Sequence, residues 1–177
     1  MNAISNIDDI TGTWTGEMFA ELLLEKEEYK DHDLLMPYRK GGIRSDNPYV
    51  NFYWDYCSQG KPCYVKIDYQ DINEAIALVK DNGGVAVLAH PGNNLKGKLE
   101  LFDEILKTGI DGVEVFCSYH NEKETKYFYD KTKEHSKIIT CGSDFHGKTK
   151  PSVRLGSTGC WIEHENMIRH LGVLLNR

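Results

Sequence analysis

No apolar run in this chain approaches the ~20 residues that a helix needs to cross a bilayer. Met1 to Asp9 lack the basic start and apolar block of a secretory leader, so cytoplasmic residence is the default expectation. Basic side chains are in deficit, with 21 Lys and Arg against 27 Asp and Glu and a net charge of -6. No basic stripe appears, which argues against a duplex partner held by phosphate neutralisation. The five cysteines are odd in number and no two have C-x-x-C spacing. That disfavours a cysteine zinc site and a disulfide framework, and leaves reduced structural thiols as the expectation. A Gly-rich phosphate loop, a G-x-S-x-G elbow and a supported Ser/His/Asp arrangement are also missing.

What remains is ordinary globular usage: 177 residues, 40% hydrophobic and 27% charged, enough for one domain with a real core. The chain changes character near residue 66. Upstream, Glu17 to Tyr29 reads as an amphipathic helix with Met18, Leu22 and Tyr29 on its apolar face, and Asn51 to Tyr56 as a short helix. Turn signals at Gly41-Gly42, Asn47-Pro48 and Gly60-Lys61-Pro62 separate them. No useful strand alternation precedes Tyr64, so residues 1–66 read as a helical insertion or lid.

Downstream, strands and helices alternate. Asp71 with Glu74 forms a capping box that predicts a helix over Ile72 to Asp81, with Ile72, Ala75, Ile76 and Val79 buried. Val85 to Ala89 is a continuous apolar run, as expected for a strand covered on both faces. Helices are predicted over Leu99–Lys107, Glu122–Glu134 and Glu165–Leu175, and strands over Val113–Phe116, Lys137–Cys141 and Gly159–Ile162. This order implies parallel strands in an α/β fold, whose chemistry collects at the strands' carboxyl ends. Residues 67–177 are therefore read as a parallel α/β unit, within one compact domain overall.

Four residues fall at those ends. His90 follows Val85–Ala89 in His90-Pro91-Gly92, where Pro91 biases it towards extended backbone. His120 follows Val113–Phe116. Asp144 and His146, two apart after Lys137–Cys141, would point the same way from extended chain. Imidazoles with a carboxylate suit a divalent metal ion. Glu114 is weaker, a ligand or an acid paired to a lysine. Lys148, Lys150 and Arg154 would suit an anionic substrate such as a phosphate ester. His32, His135, His164 and His170 read as surface residues, and Trp14, Trp54 and Trp161 as packing anchors.

Three ordered blocks resemble the polymerase and histidinol phosphatase (PHP) family of metal-dependent phosphoesterases. They are Val85-Ala86-Val87-Leu88-Ala89-His90-Pro91-Gly92, Gly112-Val113-Glu114-Val115-Phe116 with His120 beyond, and Gly142-Ser143-Asp144-Phe145-His146-Gly147. Gly60-Lys61-Pro62-Cys63-Tyr64-Val65 is similar to the end of the helical insertion in the branch acting on nucleoside monophosphates and short oligonucleotides. The resemblance implies a distorted (βα)7 barrel with Zn, Mn or Fe at its carboxyl face. It also implies that His90, His120, Asp144 and His146 are metal ligands, Asp144 and His146 being catalytic.

The family's opening His-x-His block is absent here, so the resemblance is to the C-terminal portion of such an enzyme, with fewer metal ions than the complete site. Expected substrates are phosphate-ester small molecules or short single-stranded oligonucleotides, with no membrane or duplex partner, and with Lys148 and Arg154 beside the substrate. The alternative is a degenerate or partner-dependent module that binds metal or phosphate without turnover. A barrel lacking its early strands implies a homo-oligomer, a missing N-terminal barrel half supplied from elsewhere, cover from the N-terminal helices, or an open half-barrel.

Overall fold

The structure, a computed structural model, describes residues 14–175. The reading of Met1 to Asp9 falls outside them, as does the His170 side chain. The chain divides into two compact units. One comprises the described part of Met1–Ile67 together with His146–Ser152. The other comprises Asp68–Phe145 and the described residues from Val153 onward. The return of His146–Ser152 to the first unit has no signal in composition.

The first unit is helical. Thr15 caps α1 (Gly16–Glu25) by accepting from the Met18 amide. The predicted helix breaks at Lys26, whose extended backbone starts a separate 3-10 turn at Glu27–Tyr29. Its buried face is only partly the expected one: Ala20 is fully buried, with Leu23, Leu24 and the expected Tyr29 packed in the same cluster, while Met18 is exposed. Helix α2 (Pro48–Phe52) runs into a single π turn at Tyr53–Cys57.

Asp55 ties this unit together. It accepts from the Tyr38 hydroxyl at 2.7 Å and from two Arg44 nitrogens at 2.9 and 3.0 Å. Burial acts to raise the Asp55 carboxyl, but the Tyr38 and Arg44 hydrogen bonds outweigh it and hold the pKa below its ordinary value. A carboxyl depressed on folding contributes stability above its unfolded pKa and loses it as pH falls through the folded pKa. The helical unit is thus expected to loosen at acid pH below the ordinary carboxylate range, and Asp55→Asn to flatten that dependence. Far-UV circular dichroism against pH checks this, and identical acid transitions in both proteins would contradict it.

The second unit carries a parallel three-stranded sheet in the order β1 (Val87–Leu88), β2 (Gly112–Cys117), β3 (Ile138–Gly142). Val87 pairs with Gly112 and Leu88 with Val113. The β2–β3 register runs from Gly112 opposite Ile138 to Cys117 opposite Gly142, with an irregularity between Glu114 and Phe116. Around the sheet lie α3 (Ile72–Asp81), α4 (Pro91–Leu95), α5 (Glu100–Leu106), α6 (Glu122–Glu134) and α7 (His164–Leu175). Leu88, Val113 and Ile139 lie side by side by register and pack with Phe102, Leu106 and Phe128 in the main core.

Several expectations need correction. The strand expected over Val85–Ala89 is only Val87–Leu88, with Val87 and Ala89 exposed rather than covered on both faces. Of the α3 stripe only Ile76 is buried, while Ile72 and Val79 stay exposed. A second layer that would cover these groups is absent among the described residues. Gly159–Ile162 forms no strand; Trp161 there packs edge-on against Phe116 at 4.6 Å yet stays exposed, as does Trp54. Asp71 caps α3 through the Asn73 amide, and the reciprocal capping box appears instead at α6, between Asn121 and Glu124. The α3 and α6 bounds agree with the periodicity. His135 is half-buried, not a surface residue. Cys57, Cys63, Cys117, Cys141 and Cys160 are all free thiols, and burial raises the pKa of Cys117. No helix among the described residues is long and apolar enough to cross a membrane.

Candidate metal centre

The carboxyl ends of the three strands meet in the second unit. His90 leaves β1 with φ 28 and ψ 63, not the extended backbone that Pro91 led us to expect. Asp144, just beyond β3, also has positive φ, 54. Non-glycine residues hold such backbone only where their surroundings over-determine it, often at functional positions.

The props come from the central strand. Glu114 accepts the His90 amide through Oε2 at 2.9 Å. Its other oxygen lies where a side chain on residue 142 would have to be, so Gly142 is what admits it. Glu114 therefore serves the His90 backbone, which answers the ligand-or-lysine question with a third role. Ser118 Oγ donates to the Ser143 carbonyl at 2.9 Å, and the Tyr119 hydroxyl donates to Asp144 Oδ2. The Tyr119 ring stands edge-on to His90, centroids 5.8 Å apart at 89°.

His120 is engaged on both ring nitrogens. Nδ1 lies 2.8 Å from the Val115 carbonyl and Nε2 accepts the Gly92 amide at 3.0 Å, an arrangement that requires the neutral, Nδ1-protonated tautomer. Its ring rests on Phe128 at 4.8 Å, and a Cβ on Gly92 would meet its Cδ2 at 2.7 Å. A cation at Nε2 would have to displace the Gly92 amide. His90 differs, because its Nδ1 is buried and has no hydrogen-bond partner among the described residues. A buried polar atom without a partner calls for a reason, and a ring nitrogen is a group that can ligate a metal ion.

The fit to a divalent ion is thus that of a partial site. His90 and Asp144, bridged by Tyr119, supply donors of the right chemistry. No group of three His, Cys, Asp or Glu side chains able to hold a metal ion is gathered among the described residues. His146 belongs to the first unit, exposed, and lines a cavity of about 330 Å³ with Thr15, Glu17, Tyr53, Trp54 and Lys150. Lys148 forms an ion pair with Glu21, and Arg154 is exposed in the second unit. Sequence reasoning missed Tyr119, whose only signal was its place between Ser118 and His120.

No family model matches the chain. It is 32% identical to the phosphoribosyl 1,2-cyclic phosphate 1,2-diphosphodiesterase of Eggerthella lenta over 100 residues, 56% of this chain and 37% of that protein. The 3',5'-nucleoside bisphosphate phosphatase of Chromobacterium violaceum is 29% identical over 106 residues, 58% of this chain and 37% of its own length. A 5'-3' exoribonuclease of Haemophilus influenzae is 33% identical over 94 residues, 51% of this chain and 34% of that protein. Among solved structures, one from Bifidobacterium adolescentis assigned as a metal-dependent phosphoesterase superposes with a TM-score of 0.65 at 23% identity. The overlap covers 99% of this chain and 57% of that one, and at this identity the likeness is one of fold. The matched stretch is little more than a third of each curated relative.

Proposed function

We propose, from the premise that this chain is a relative of the PHP phosphoesterases, that it is a metal-dependent hydrolase of phosphate esters. The observation that carries the reading is the buried Nδ1 of His90, without a partner among the described residues, beside the Tyr119–Asp144 pair. The proposed ligands are His90 and Asp144. His120 would join by surrendering the Gly92 amide, and His146 is retained on its Asp-x-His spacing alone. The ion is Zn, Mn or Fe, and its chemistry is to neutralise charge developing on the phosphoryl group. Asp144 would set the local negative charge, and Glu114 keeps the His90 turn in place. Lys148 would have to exchange Glu21 for a substrate phosphate, and Arg154 is the other candidate cation. The relatives' names, a cyclic phosphate diesterase, a nucleoside bisphosphate phosphatase and an exoribonuclease, favour small phosphate esters or RNA; within those classes the proposed substrates are nucleoside monophosphates and short single-stranded oligonucleotides.

The test is phosphate release from p-nitrophenyl phosphate and AMP by the chain loaded with Mn or Zn. Turnover that requires metal and is lost in His90→Ala supports the reading, whereas full activity in that variant refutes it; full activity in His146→Ala removes His146 from the ligand set. A second reading is favoured by the lack of three gathered donors among the described residues: a module that binds metal or phosphate without turnover. Saturable zinc binding by calorimetry with no hydrolysis would select it.

The outer edge of β1 has no strand neighbour among the described residues. Val87, Ile72, Leu78 and Val79 are exposed on that strand and on α3. We propose that this is an open barrel segment completed by a second copy or by a separate barrel half. Light scattering on the chain alone is expected to give a mass above that of one chain. A monodisperse single-chain mass at all concentrations would contradict self-association.

A further inference from the structure

We infer that Tyr119 is the positioning residue of this centre, joining the His90 and Asp144 side chains that reach it from the two outer strands. The inference rests on the metal-site reading above and adds a residue to it. The β2–β3 register ends with Cys117 opposite Gly142. Beyond it the pairing continues through side chains, Ser118 to the Ser143 carbonyl at 2.9 Å and Tyr119 to Asp144 Oδ2. These bonds join successive residue pairs, so the loop after β2 stays tied to the loop after β3 once the backbone bonds stop. The Tyr119 ring also faces the other way, meeting His90 edge-on at 5.8 Å.

Both neighbours need such a prop. His90 and Asp144 each sit at positive φ, and neither is a glycine. The hydroxyl fixes the rotation of the Asp144 carboxylate, and the ring wall limits that of the His90 imidazole, whose Nδ1 is buried without a partner among the described residues. A phenylalanine would serve the wall and fail the carboxylate. Partners that orient metal ligands typically account for 10–100-fold in metal affinity.

The experiment titrates Mn into the full chain, into Tyr119→Phe and into Tyr119→Leu by calorimetry, with far-UV circular dichroism as the check on folding. Tyr119→Phe is expected to bind roughly tenfold more weakly, and Tyr119→Leu more weakly still because the wall is lost too. Hydrolysis of p-nitrophenyl phosphate by Tyr119→Phe is expected to recover as Mn is raised, since the residue orients ligands and does not touch substrate. Equal Mn affinity in Tyr119→Phe and the unaltered chain overturns the inference. So does a loss of turnover that saturating Mn does not restore. Failure of the unaltered chain to bind Mn overturns the underlying site reading, and this role with it, and is recognisable because it needs no variant.

Discussion

Asp144→Asn is expected to lower Mn affinity, and with it metal-dependent turnover, by at least ~100-fold, above the range seen for residues that only orient ligands. The substitution is chosen for its restraint. Asparagine tolerates the left-handed backbone that Asp144 adopts at φ 54. Its amide oxygen can still accept the Tyr119 hydroxyl that now bonds Oδ2. What is removed is the negative charge, the part of the side chain that a divalent ion needs. Calorimetry with Mn and a thermal melt on the same protein check the two halves. Lost affinity with an unchanged melting temperature is the expected pair. Unchanged affinity would take Asp144 out of the site.

Phe128→Ala is expected to cost about 3–5 kcal/mol, a large share of the roughly 5–15 kcal/mol that stabilises a typical domain. Phe128 is fully buried, packs edge-on with Phe102 at 4.9 Å, and carries the His120 ring at 4.8 Å. The cavity would open beneath the residue that latches Gly92, so the His90-Pro91-Gly92 turn should loosen along with the core. A urea melt gives the cost directly. A change under ~1 kcal/mol would mean that the α6–β2 packing collapses around the void more freely than cores usually do.

Helices stabilised by their own periodicity and caps were legible from sequence. Both α3 and α6 begin and end where the pattern puts them, because Asp71 and Asn121 satisfy the first amides locally. The strands β2 and β3, and the places of His120 and Asp144 just beyond them, were legible for a similar reason: alternation with helices forces parallel strands. Burial was less so, because it depends on what lies opposite. Val87, Ile72 and Val79 have the composition of core residues and are exposed.

Within the site, residue types were legible and hydrogen-bond partners were not. Nothing local says that the His120 ring is taken by Val115 and Gly92, or that Glu114 serves the His90 amide. Lys148 has the composition of an anion-binding residue, but its ammonium pairs with Glu21, far away in sequence. Alternation placed Asp144 and His146 together, yet the chain turns between them into different units. Tyr119 passed unnoticed because a loop tyrosine carries no spacing signal, and its role exists only once two other strands arrive beside it.

The most direct measurement is the anomalous difference density of a crystal of the full chain soaked in Mn. One strong peak within coordination distance of both a His90 ring nitrogen and an Asp144 oxygen, roughly 2.0–2.3 Å, is predicted. Density absent from that position, or bound elsewhere with neither residue as a ligand, would contradict the account.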